Sequence, residues 1–366
     1  MIPQIIGEQG LLWYLVSFAS LIIFFTLWSK LQFFRMLKEI ESKLMKIEVV
    51  KEEAFKTAVK TVKDLGKKER DPTPFVKRFT DYTFIEPTGL DPAGIVWKLD
   101  HLLNVREARF RSEIKKVAPK ATTSQLNNLE NLLEAAQDLN LIYKIVRHYY
   151  LLGKKTKNLY IVIQVQLIMP MIMRIVEAYA GAVHAFSKGC PIGDGAGALV
   201  AAKLMKGSRV RKLIRDVVFS KVKIDGRNVF ILKSEGPGGN VGKPGDALRT
   251  LIEKLGGNVN AIIMVDAAVK FEGEKTGAVS EGIGAAIGGI GTEKFKIEEV
   301  ALKYKIPLNA VLVKQSLQEA ISPMKREIVE GIEEAVNVVK RIINERTKRN
   351  DTVIVAGVGN TIGIGQ

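Results

Sequence analysis

The chain has 366 residues, 47% of them apolar, a formal net charge of +16 and one cysteine. That length accommodates roughly two domains with appendages, and a lone Cys190 excludes an internal disulfide framework and fits a reducing compartment. The basic excess suits nucleic acid or an anionic membrane surface; no specific nucleic-acid motif accompanies it, and the first segment favours the membrane.

Leu11 to Trp28 is an uncharged run, close to the roughly 20 residues that cross a hydrocarbon core. Trp13, Tyr14 and Trp28 sit near its ends, and Lys30, Arg35 and Lys38 follow it while Glu8 alone precedes it. This asymmetry predicts a single-pass anchor over residues 1–30 in the cell membrane, with the bulk of the chain cytoplasmic. A cleaved signal is disfavoured, because no basic region precedes the run and no small-x-small pattern follows it. Over 31–70 the spacing of Leu37, Ile40, Leu44 and Ile47 predicts a helical stalk. It is a candidate for self-association or for folding back on the body, and too short to assert a coiled coil. Asp71-Pro72-Thr73-Pro74 and the stretch Glu86 to Pro92 read as breaks.

Residues 71–187 read as a helical domain. Ile161 to Met173 is a second apolar run, but it holds Gln164, Gln166 and Pro170 and is followed by Arg174. It is therefore expected to be a buried helix rather than a second span. Arg147, His148, Lys154, Lys155 and Lys157 precede it, either as a solvated basic face or as a contact for anionic lipid headgroups.

Over 188–366 the texture changes to short Val/Ile-rich runs alternating with helices. Strands are predicted at Val229–Leu232, Ala261–Val265, Ala310–Val313 and Thr352–Ala356, and helices at Asp246–Leu255, Ile297–Tyr304 and Pro323–Lys348. Such runs indicate a mostly parallel α/β sheet covered on both faces. Two carboxylates lie at expected strand or helix ends: Asp194 in Gly193-Asp194-Gly195-Ala196-Gly197, and Asp266 after Ile262 to Val265. If they meet, they form either an acid/base pair sharing a proton or oxygen ligands for a divalent cation such as Mg²⁺ or Mn²⁺. Otherwise Asp194 is a helix cap and Asp266 a charge parked at a strand end.

Gly236 to Gly245 joins a strand to a helix, so Gly238, Gly239 and Lys243 are candidates to cradle an anion such as a nucleotide, phosphate or lipid headgroup. It is not a P-loop, because Lys243 is followed by Pro244, and a tight connection is the competing reading. Gly282 to Gly291 is a loop over the site or a close-packed turn. Glu272 and Glu274 are further candidate ligands or plain loop charges. Cys190 adjoins Asp194, but His184 is placed to point elsewhere.

Several fragments carry a resemblance. Arg147 to Lys155, Pro191 to Gly197, Gly236 to Gly245 and Gly357-Val358-Gly359-Asn360-Thr361 resemble an uncharacterised archaeal family of membrane-anchored proteins of about this size, a domain of unknown function, which implies no activity. The C-terminal half is also similar to hydrogenase maturation proteases and the spore germination protease. In those enzymes a strand ending in Gly-x-Gly-Asn precedes an acidic residue in an Asp-Gly-x-Gly-like motif, and a second acidic residue follows a later buried strand. Asp194 and Asp266 match the acidic positions, and Gly359 and Asn360 would shape the site and position substrate. Here the Gly-x-Gly-Asn lies at the end of the chain, so the likeness requires a circular permutation. No histidine matches the metal ligand of the hydrogenase proteases, since His101, His148 and His184 all precede this half. The resemblance implies a phosphorylase/hydrolase-like α/β domain and peptide hydrolysis. The alternative is a membrane-tethered module that binds an anionic ligand without catalysis.

Overall fold

The computed structural model describes residues 8–66, 71–83, 85, 94–289 and 291–366; the expected break at 86–92 lies outside these. Five helices come first: α1 (Glu8–Leu65), α2 (Thr73–Thr80), α3 (Ile95–Val117), α4 (Thr123–Thr156) and α5 (Leu159–Lys188). The chain divides into two compact units, 1–51 with 141–174, and 52–140 with 175–366.

In the first unit, α1 is exposed from Leu12 to Phe34 apart from half-buried Ser17 and Phe33. Packing begins at Leu37, Ile40, Leu44 and Ile47, all buried. Here α1 is tied to the other helices by Tyr150 and Tyr143 hydroxyls donating to Glu41 (2.7 Å) and Glu48 (2.9 Å) and by Gln166 donating to Glu39 (2.8 Å). Of the two expectations for this stripe, self-association or folding back, the buried residues show it packed within the chain. The run Ile161–Met173 departs from expectation too. Only Val162, Val165 and Met169 are buried, while Leu167, Ile168 and Met171 remain exposed, so α5 joins α1 as a helix long and apolar enough to cross a membrane. A spacing of three or four buries one stripe of a helix and leaves the remaining apolar residues outside it.

In the second unit, a short 3₁₀ turn (Gly193–Gly195) leads into α6 (Ala196–Met205) and then β1 (Val210–Ile214), β2 (Val217–Ile224) and β3 (Arg227–Ser234). There follow α7 (Pro244–Lys254), β4 (Ala261–Val269), β5 (Val279–Ile283), α8 (Thr292–Tyr304), β6 (Leu308–Gln315), α9 (Leu317–Ile321), α10 (Arg326–Arg346) and β7 (Thr352–Gly357). The seven strands form one sheet in the order β1-β2-β3-β7-β4-β6-β5. The central four, β3, β7, β4 and β6, are parallel. β1 and β2 extend one side as antiparallel strands, and β5 closes the other side antiparallel to β6. The sheet is thus mixed rather than mostly parallel.

Alternation along the central strands builds two cores. Val229, Ile231, Ile263, Val265, Val353 and Val355 pack with α6 and α10, whereas Leu232, Ile262, Met264, Ile354 and Ala356 pack with α7 and α8. Both faces are covered, so the central strands read as unbroken apolar runs. The last strand of the chain, β7, lies between β3 and β4 in the middle of the sheet. Its C-terminal end and that of β4 open where helices arrive from both faces, which is where open α/β sheets collect functional groups.

Candidate active site

Asp194 reaches that edge because its neighbours are small enough to let the start of α6 press onto the strand ends. A Cβ on Gly197 would lie 2.1 Å from the Val265 carbonyl oxygen, and one on Gly193 would lie 2.3 Å from the Glu319 carbonyl oxygen. A Cβ on Gly195 would meet the Asn360 carbonyl oxygen at 2.8 Å. The Asp194 side chain makes no capping bond to α6. Instead its Oδ2 accepts the Asn360 backbone N–H at 2.8 Å. This bond needs the turn at Gly359, whose φ of +117° and approach to the Asp194 carbonyl oxygen (1.9 Å from a would-be Cβ) suit glycine alone.

Asp266 arrives from the neighbouring strand. Val265 of β4 pairs with Gly357 of β7, so Asp266 stands just where β7 turns into Val358 and Gly359. It is 6% exposed, and its carboxylate accepts N–H bonds from Ala267 (2.8 Å) and Gly288 (3.2 Å). The loop after β5 thus reaches over to the site through Gly288. Burial pushes the Asp266 pKa up to about 7, and the charge of Asp194 adds to the shift. Burial also raises Asp194, partly offset by the Asn360 amide. The charge of Asp194 therefore favours the protonated form of Asp266. The structure brings Gly193, Asp194, Gly195, Gly197, Asp266, Gly359 and Asn360 together at one sheet edge.

Two further groups stand at the same strand ends and carry no sequence motif. Gln315, which ends β6, is buried, and neither polar atom of its side chain has a hydrogen-bond partner among the described residues. Its Oε1 would lie 2.5 Å from a Cβ on Gly193, beside Asp194. A buried amide left unsatisfied is uncommon and marks a place where polar material is expected. Lys233 near the end of β3 pairs with Gly357 in register. Its amine is buried, donates to the Ser234 carbonyl at 2.9 Å, and is pushed down to about 8 by desolvation. Only its place directly after the apolar run Val229–Leu232 hinted at burial.

For a divalent cation these residues offer two carboxylates. Among the described residues no third histidine, cysteine or carboxylate joins the two aspartates, and each aspartate already accepts backbone N–H bonds.

The other glycine-rich segment is a packed connection. Gly239 N–H donates to Asn128 (2.8 Å), its carbonyl accepts from Asn131 (2.7 Å), and Lys243 is bound to Asn104. At the start of α7 the Gly245 N–H already meets the Glu293 carboxylate at 2.7 Å, the place an anion would take. Gly238 and Gly239 abut Ser124 and Asn131 too closely for side chains. A cavity of about 510 Å³ lies between this loop and α3 and α4, with Arg106, Arg111, Glu130 and Asn360 in its wall. It adjoins the aspartates through Asn360.

The remaining candidates lie elsewhere. Glu274 is held in the turn after β4 by the Phe271 amide and Lys314, and Glu272 is exposed. His184 is exposed while Cys190 packs beside Ala185, Ile192 and Ile362. Arg147, His148, Lys154, Lys155 and Lys157 are exposed on the first unit.

Two family models match the chain. One, described as a protein of unknown function (DUF1512) N-terminal domain, covers residues 14–189; the other, a domain of unknown function (DUF1512) C-terminal, covers 192–365. The matches carry neither an activity nor a source. No curated protein matches the chain.

Proposed function

We propose that this chain, which belongs to the DUF1512 family by both of its domains, is a membrane-anchored hydrolase in which Asp194 and Asp266 act as an acid–base pair on a peptide bond. The observation that carries the reading is the pair itself. A half-buried carboxylate, Asp194, and a buried one, Asp266, come from different elements to the ends of adjacent central strands, with Asp266 poised at about 7 and raised in part by Asp194. Keeping such a pair costs stability, which is the pattern expected of working acids and bases. The likeness to hydrogenase maturation and spore germination proteases gives a second support. The permutation it requires places Gly357-Val358-Gly359-Asn360 beside Asp194, and β7 is central with Asn360 bonded to that carboxylate.

In this mechanism Asp194, the more accessible of the two, is the base. It takes a proton from water as the water oxygen bonds to the substrate carbonyl carbon. Asp266 gives its proton to the leaving nitrogen as the carbon–nitrogen bond breaks. Asn360 holds Asp194 in place through its backbone N–H, and the unpaired amide of Gln315 orients substrate or water. The helix α1 serves as a single-pass anchor, with the second unit on the cytoplasmic side that its flanking lysines and arginine favour. A second crossing by α5 is disfavoured. Only Lys157 and Asn158 separate α4 from α5, so α4 would have to cross with Lys144, Arg147 and His148.

The test is a peptide library incubated with the full-length protein and read by mass spectrometry. The wild type should cut a defined subset of bonds. Asp194→Asn and Asp266→Asn should each lower the rate by about 10²–10⁴-fold while melting no earlier. Cleavage that persists in both variants, or a wild type that cuts nothing, contradicts the proposal.

A further inference from the structure

The first unit contains a cavity of about 800 Å³ between α1 and the tip of the α4–α5 hairpin. Its wall combines two chemistries. Phe33, Phe34, Leu37 and Leu159 give it an apolar side, and Lys30, Lys38, Lys154 and Lys157 give it a cationic one. Only one carboxylate, Glu41, lines it, and that group already accepts the Tyr150 hydroxyl at 2.7 Å. Lys30, Lys38 and Lys157 have no carboxylate partner among the described residues. A cavity wall that sets four lysines beside aromatic and aliphatic side chains with a single carboxylate among them is suited to an amphiphilic anion.

Its place along α1 identifies the anion. The exposed apolar stretch of the helix ends at Trp28, a residue that prefers the membrane interface. Lys30 and Phe33 follow within about 8 Å at 1.5 Å per residue, the depth of a headgroup layer beside a hydrocarbon core of roughly 30 Å. Leu31 and Phe34 are also exposed, so the apolar wall is continuous with the apolar surface of the helix above it.

We propose that this cavity holds one anionic phospholipid, its phosphate among Lys30, Lys38, Lys154 and Lys157 and its acyl chain along Phe33, Phe34 and Leu159. The inference rests on α1 being a membrane span and is independent of the chemistry at Asp194. Such a lipid would fasten the hairpin tip to the base of the anchor.

The test places the full-length protein in nanodiscs of phosphatidylcholine alone or with phosphatidylglycerol, followed by native mass spectrometry of the released protein. The wild type should enter both and retain phosphatidylglycerol in preference to phosphatidylcholine. The triple variant Lys38→Gln/Lys154→Gln/Lys157→Gln should lose that retention by about fivefold for each lysine removed, and the corresponding Arg variant should keep it. Equal retention of the two lipids by the wild type overturns the proposal even if the Gln variant does not fold. Undiminished retention by a folded Gln variant overturns it as well. Displacement by soluble glycerophosphate would show a phosphate site rather than a lipid site and would also overturn it. Failure to enter phosphatidylcholine nanodiscs at all would instead refute the spanning reading of α1.

Discussion

Gly193 to Gly197 and Gly236 to Gly245 are alike in composition and opposite in what they leave unbalanced. Both run between elements at the sheet edge, and in both a Cβ would collide with backbone or a neighbouring side chain. In the second segment most polar groups are met, Gly239 by Asn128 and Asn131, Lys243 by Asn104, and the start of α7 by Glu293, with the Asn240 side-chain oxygen the exception. In the first, close packing sets Asp194 near enough for its charge to raise the Asp266 carboxyl, and no cation among the described residues offsets either shift. Glycine content marks close approach; the uncompensated charge is what marks chemistry.

That contrast can be broken from the compensated side first. Glu293 at the mouth of the second segment belongs to a cluster around Lys296, whose buried ammonium contacts Asp100 (3.0 Å), Asp246 (3.1 Å) and Glu293 (2.9 Å). Burial alone would lower its pKa, but the hydrogen bonds and charges of these carboxylates hold it raised. Removing the cation strands three carboxylates, so Lys296→Ala should cost about 3–5 kcal/mol in a denaturant titration. Catalysis by whatever remains folded should be unaffected. A change below about 1 kcal/mol would show that the cluster is not the compensated structure described.

The uncompensated side should respond with the opposite sign. The Asp266 pKa is raised in the folded protein to about 7, against about 3.9 when unfolded. Its neutral form is therefore favoured by the fold, and stability is lost as pH rises between those values. Asp266→Asn carries no charge to bury. It should leave the melting temperature nearly unchanged near pH 4 and raise stability above pH 7 by at most on the order of 4 kcal/mol. A variant that melts earlier than wild type at alkaline pH would mean that Asp266 is a structural carboxylate.

Much of this was legible in the chain. The central strands announce themselves as unbroken apolar runs, and Asp194, Asp266 and Gly359-Asn360 stand out because strand ends seldom carry glycine and acid together. The β1–β2 hairpin and β5 were not recognised. β1 and β2 intersperse lysine and arginine among their apolar residues and β5 is short and carries Gly282, as strands at a sheet margin do, although Asp225-Gly226 between β2 and β3, both at positive φ, is a strong hairpin signal. Gln315 and Lys233 were invisible because the significance of Gln315 lies in missing partners and that of Lys233 in burial of its amine, and no local pattern encodes either. The partial exposure of α5 was hidden for a related reason. Hydropathy reports that a helix is apolar but not which side of it another helix covers.

The coupling of Asp266 to Asp194 can be measured without a substrate. Infrared spectra of the full-length protein titrated between acid and alkaline pH, with the spectrum of Asp266→Asn subtracted, isolate this carboxyl from other raised groups such as Glu130. A protonated-carboxyl band is expected that disappears with a midpoint of about 7 and that moves down when Asp194 is replaced by Asn. A difference band already lost below about pH 5, in the ordinary carboxylate range, or one unmoved by Asp194→Asn, would contradict that coupling.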